Sequence, residues 1–220
     1  MTAPEGRYVL HNRLGSGGFS VEAALTLAGL DFELVLGPSK PGAPNPESFR
    51  AVNPWNQVPV LITPGGTTLT ESAAILAHLT IAHPDRGLGP EPGSDAHGAM
   101  LRWLVFMSVN LYEPILRRVR TIRYSTDEAG HEGVRRAAGQ TLKAAFALIE
   151  AELGERPHLV GAALSVADIY LAMLNAWSGG GRGAPGCDAL TRRVAAHPGI
   201  AAVWSRNFDH WLPTRWGAPA

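Results

Sequence analysis

Apolar residues change their spacing once along this chain, and the change divides it in two. In the first part they come in short runs. Tyr8-Val9-Leu10-His11 and the alternating Phe32-Glu33-Leu34-Val35-Leu36 read as strands, with a helix from Phe19 to Ala28 between them that Gly29 closes as its C-terminal cap. Strand, helix and strand in so short a span form a βαβ unit with two parallel strands. Gly and Pro interleave from Pro38 to Pro46 in an exposed loop, and Glu47 to Ala51 adds a helical turn. Val58 to Ile62 and Thr67 to Thr70 then make a hairpin about Gly65-Gly66, and a helix runs from Glu71 to about His83.

Pro84 to Gly93 is a linker, and beyond it the spacing is helical. Ser94 to Arg123 predicts one long helix, with Met100, Leu104, Met107 and Leu111 along one face and Trp103 and Phe106 beside them. Pro114 should kink this helix or open its hydrogen bonding. Val134, Ala138, Leu142, Ala145, Ile149 and Leu153 mark the core face of the next helix. Ser165 and Asp168 then resemble a capping box, with Leu164 and Ile169 spaced as a hydrophobic staple, ahead of a helix that is apolar nearly all round. Gly179 to Gly183 reads as a flexible loop, two shorter helices follow around Asp188–Ala196 and Gly199–Asp209, and Trp55 reads as turn packing. The expectation is α/β plus all-α: a thioredoxin-like βαβ-ββα domain over 1–83, a linker over 84–93, an all-helical domain over 94–212 and a tail over 213–220.

Composition narrows the function. The 19 basic and 19 acidic residues cancel and form no basic block, which argues against nucleic acid or an anionic membrane as partner. No apolar run has the ~18 residues of a membrane-spanning helix, and the first residues lack the apolar core of a signal peptide. Cys187 is the only cysteine, so neither an internal disulfide nor a Cys-x-x-Cys pair can form. A cytoplasmic protein is the default. The histidines have no ligand spacing, so no metal is expected.

The most informative stretch is Asn53-Pro54-Trp55-Asn56-Gln57-Val58-Pro59-Val60-Leu61-Ile62. Proline belongs at the first residue or the edge of a strand, and an X–Pro bond turns cis at modest cost. Val58 is thereby free to offer its N–H and C=O to a ligand. Asn56 tolerates a positive φ better than most residues. Downstream, Glu71-Ser72 opens a helix, and a helix N-terminus favours a carboxylate. Asn-Pro-x-x-x-Val-Pro followed by Glu-Ser-x-x-Ile resembles the glutathione-binding half of the cytosolic glutathione S-transferases, and the resemblance extends along nearly the whole chain.

That resemblance implies glutathione as co-substrate. By it, Glu71 takes the γ-glutamyl ammonium, Ser72 the γ-glutamyl carboxylate, Val58 beside Pro59 the cysteinyl unit through its backbone, and Gln57 the glycyl end. The family places a hydroxyl or thiol at the start of the first helix. Here that implies Ser16 as catalytic residue, donating to the glutathione sulfur, with capping of the helix as its other role. The tyrosine-type pattern is absent, and no cysteine lies between Gly15 and Ser20. The electrophile site is expected between the Asn12–Ser16 loop and the long helix, at Asn12, Trp103, Phe106, Met107 and Asn110, with Tyr112 less well placed. A homodimeric transferase adding glutathione to a small apolar electrophile follows from the resemblance. A non-catalytic binding or assembly module and a glutathione-dependent isomerase or dehalogenase are the alternatives.

Overall fold

The computed structural model describes residues 6–38, 44–180 and 183–209. Its first part comprises β1 (Tyr8–Asn12), α1 (Gly18–Leu27), β2 (Phe32–Leu36), β3 (Val60–Ile62), β4 (Thr68–Thr70) and α2 (Ser72–Ala82). The strands form one sheet in the order β2-β1-β3-β4. Tyr8 faces Phe32 in the parallel β1–β2 pair, whereas β3 runs antiparallel to both β1 and β4. This is the mixed thioredoxin-like sheet expected.

α1 is buried from Gly18 to Leu25 because it packs on α2 and also on helices of the second part. It stops where Gly29 adopts φ 62°. The N–H of Leu30 then reaches the Leu25 C=O at 3.1 Å and that of Gly29 the Thr26 C=O at 3.0 Å, which satisfies the last carbonyls.

The second part is all-helical: α3 (Asp95–Met107), α4 (Glu113–Val119), α5 (His131–Leu153), α6 (Val166–Ser178), α7 (Pro185–Ala196) and α8 (Ala201–Phe208). The single helix expected from Ser94 to Arg123 is divided. A π-helical turn, Ser108–Tyr112, joins α3 to α4 just ahead of Pro114. Proline has no N–H to offer the Asn110 carbonyl and its ring crowds that turn, so the ladder widens and the Glu113 N–H bonds to Ser108 C=O. α7 begins at Pro185, earlier than the sequence suggested. The Glu150 carboxylate on α5 accepts the Gly186 and Cys187 N–H groups at 2.7 and 3.0 Å, a cap supplied from another helix.

α6 is central, with every residue from Val166 to Ala176 buried. Its Asp168 carboxylate accepts the Leu159 N–H, the Ser165 N–H and the Ser165 hydroxyl at 2.7, 2.8 and 2.9 Å. Trp55, expected to pack in its turn, is 74% exposed instead. Residues 39–43 of the Gly/Pro loop, 181–182 of the glycine loop and the tail 213–220 lie outside the described residues. Among the described residues, no helix is long and apolar enough to cross a membrane.

Candidate functional site

The two prolines set the first wall of the site. Asn53 holds the turn between them, its Nδ2 donating to Gln57 C=O at 2.7 Å and its Oδ1 accepting the Trp55 N–H at 3.0 Å. Asn56 takes φ 55°, and the Val58–Pro59 bond is cis. Because β3 starts only at Val60, Val58 stays outside the ladder. Val58 lines the groove where the second wall begins.

There Glu71, with φ 63° and ψ 109°, turns the chain from β4 into α2. A left-handed conformation costs a non-glycine residue roughly 1–2 kcal/mol, and such residues concentrate at functional sites. The turn leaves Glu71 exposed at the head of α2, without an ion-pair partner among the described residues. Ser72 follows at 6% exposure, and among the described residues its hydroxyl makes no hydrogen bond. Gln57, Val58, Pro59, Glu71 and Ser72 line one side of a cleft of about 500 Å³. Leu101, Leu104, Val105, Ser108 and Tyr112 line the facing side.

The start of α1 meets the cleft through Gly17, which lies against the lining residues Ser72 and Tyr112. Asn12 is fully buried, donating to Glu22 at 2.9 Å and accepting both the Arg13 N–H and the Ser16 hydroxyl, at 2.7 and 2.9 Å. The Ser16 Oγ in turn accepts the Gly18 N–H at 3.2 Å, a local cap of the helix. Glu22, also buried, bonds Arg206 and the Asn207 amide of α8, and Asn207 accepts the Gly15 N–H at 3.1 Å. The loop is thus anchored to the last helix. Gly17 stands between these fixed points. A Cβ on it would lie 2.7 Å from the Ser72 Oγ and 2.8 Å from the Tyr112 hydroxyl, so only glycine lets the two hydroxyls come so close.

Several sequence expectations fall elsewhere. Asn12 does not line the cleft; its bonds to Glu22, Arg13 and Ser16 make it an internal bracket for the loop. Trp103 and Met107 are core residues at 1% and 0% exposure. Phe106 packs its ring edge-on to Trp103, and Asn110 turns back to the Phe106 carbonyl at 3.0 Å. None of these four lines the cleft. The reason is rotational: a helix apolar nearly all round does not reveal which face meets the sheet domain. The face that does carries Ser108 and Tyr112 four apart, and that break in the apolar stripe was the available signal. Ser16 lies at the predicted helix start, but its proton is engaged by Asn12.

Tyr112, weakly placed by sequence, comes to the centre. Its ring stacks near Tyr170 and meets Trp177 edge-on at 5.1 Å. The Tyr170 hydroxyl is paired with Ser108 at 3.1 Å, whereas that of Tyr112 has no hydrogen bond among the described residues. Burial, then the Glu71 carboxylate and Tyr124, push the Tyr112 phenol up to about 12. It remains a proton donor throughout the neutral range.

Residues 20–80 match the family model described as glutathione S-transferase, N-terminal domain, and residues 114–209 that described as glutathione S-transferase, C-terminal domain. Glutathione S-transferase GstA of Escherichia coli O157:H7 is 29% identical over 165 residues, 74% of this chain and 79% of that protein. Glutathione S-transferase 3 of Zea mays is 28% identical over 187 residues, 84% of this chain and 81% of that protein. A sphingomonad glutathione S-transferase solved in complex with glutathione superposes with a TM-score of 0.74 at 29% identity, covering 90% of this chain and 97% of its own.

Proposed function

Since the chain belongs to the glutathione S-transferase family, we propose that its cleft binds glutathione and directs the thiolate at a small apolar electrophile. The observation that carries this reading is the convergence on one cleft of Val58, the Glu71–Ser72 helix start and the apolar Leu101, Leu104 and Val105 of α3. Glu71 receives the γ-glutamyl ammonium. Ser72, through its free hydroxyl and its place at the α2 N-terminus, receives the carboxylate. Val58 pairs its main chain with the cysteinyl unit, and Gln57 serves the glycyl end.

In the reaction the bound thiol gives its proton to solvent, and the thiolate attacks an electrophilic carbon, forming the S–C bond as the leaving group on that carbon, chloride for a chloroarene, departs with its bonding electrons. Leu101, Leu104 and Val105 offer that electrophile an apolar wall. Most of the acceleration comes from holding the thiolate in place and stabilising its charge. The division into domains over 1–83 and 94–212, a homodimer and a cytoplasmic location belong to the same proposal.

Calorimetric titration with glutathione tests it. Ser72→Ala should weaken binding about tenfold, the ~1.4 kcal/mol of one charge-assisted hydrogen bond. Conjugation of a chlorodinitrobenzene should fall with it. A wild-type protein that takes up no glutathione would end this reading, and one that binds without conjugating any electrophile would make it a binding module.

A further inference from the structure

The start of α1 holds donors but no reactive side chain. Gly17 contributes only a main chain, whose N–H has no hydrogen-bond partner among the described residues. Ser16, the neighbouring hydroxyl, donates its proton to Asn12. The Tyr112 hydroxyl lies 2.8 Å from where a side chain of residue 17 would begin, and the hydroxyl of the buried Ser72 lies 2.7 Å from the same point. Tyr112 arrives there from the helical domain, at the end of the π-helical turn that Pro114 imposes. Its ring is held by Tyr170 and Trp177, which leaves the O–H as the unpaired end.

We propose that Tyr112 is the catalytic hydrogen-bond donor to the glutathione sulfur, in place of Ser16. This rests on the glutathione-binding reading of the cleft. With the γ-glutamyl end on Glu71–Ser72 and the cysteinyl backbone on Val58, the sulfur falls toward the start of α1. There the Tyr112 hydroxyl lies against Gly17, 2.8 Å from where a Cβ on that residue would sit, and the Gly17 N–H has no partner among the described residues. A donor favours the charged form of the group it bonds, so the bound thiol ionises at lower pH than a free one near ~8.5. The phenol keeps its own proton and donates a hydrogen bond; the thiol proton passes to solvent. Ser16 then has a positioning role, fixing Asn12 and the Gly18 N–H.

The test is a pH titration of the thiolate absorbance of glutathione bound to wild type, Tyr112→Phe and Ser16→Ala. Phenylalanine retains the ring and its contacts. In Tyr112→Phe the thiol pKa should return toward the free value by about one unit, leaving roughly tenfold less thiolate at neutral pH. Glutathione affinity should change less than threefold, while kcat falls in step with the thiolate. A shift that survives in Tyr112→Phe and vanishes in Ser16→Ala overturns the proposal. Replacement of tyrosine by 3-fluorotyrosine gives a second reading that keeps every ring, because it acidifies the phenol and should lower the bound thiol pKa further. An unchanged value there also overturns it. Wild-type protein that binds glutathione with an unshifted thiol refutes Tyr112 alone, whereas no binding at all refutes the function on which it rests.

Discussion

Two helix starts in this molecule look alike in sequence and do opposite things. A serine lies just ahead of each, Ser16 before the Gly17 N-cap of α1 and Ser165 as the N-cap of α6, and each has a buried carboxylate within its first two turns, Glu22 in one and Asp168 in the other. At α6 the carboxylate faces its own N-terminus and takes two main-chain N–H groups and the serine hydroxyl. That end is closed. At α1 the carboxylate faces away, bonding Asn12, Arg206 and Asn207, while the serine caps Gly18, the Gly17 N–H has no partner among the described residues, and Gly17 lies against the Ser72 and Tyr112 hydroxyls. A helix end whose donors are used up locally supports a fold; one whose donors are left over can hold a ligand.

Three changes would sharpen or break this contrast. Asp168→Ala should have the largest effect, because it strands two buried N–H groups: a loss of about 3 kcal/mol, read as a lower urea midpoint. Glutathione should still bind to the fraction that remains folded. A midpoint unchanged by the substitution would mean that the closed end is not structural. Gly17→Ala should act the other way. Its methyl meets the Ser72 and Tyr112 hydroxyls at 2.7 and 2.8 Å, so glutathione affinity should drop about tenfold, whereas the urea midpoint should move by less than ~1 kcal/mol. Equal losses of binding and stability would erase the distinction between the two ends.

The smallest effect expected is that of acid. Burial lowers the pKa of His11, which leads into Asn12, against the opposing pull of Glu33. Its neutral form is therefore favoured in the folded chain. The stability this contributes is complete above the unfolded value near ~6.5 and is lost as pH falls through that value toward the folded one. The melting temperature should decline by on the order of 1 °C between neutral pH and about pH 5, and His11→Gln should flatten that decline. A slope unaffected by the substitution would assign the acid response to other groups.

Several features of the site were legible because their signals act within a few residues. Val58-Pro59 announced a strand start with a free main chain, Glu71-Ser72 a helix start, and Asn56 a left-handed turn, and the structure forms all three. The division of the long helix could be expected from Pro114, although its form as a π-helical turn could not. Trp103, Phe106, Met107 and Asn110 are expected at the electrophile site because they lie on the long helix that should face the Asn12–Ser16 loop. They lie off the cleft because the sheet domain packs on a neighbouring face of α3.

What the sequence determined by itself was therefore the order of the elements, their caps and the turns that present Val58, Glu71 and Ser72. Hydrogen bonding, proline chemistry and hydrophobic period are local, and one chain suffices to read them. What only the tertiary structure decided was which donors remained free. Asn12 claims the Ser16 proton, Glu22 ties the loop to α8, and Gly17 lets the Tyr112 hydroxyl of a distant helix approach. Whether a donor is spent or available depends on what the packing of two domains brings against it, and no short stretch of sequence carries that.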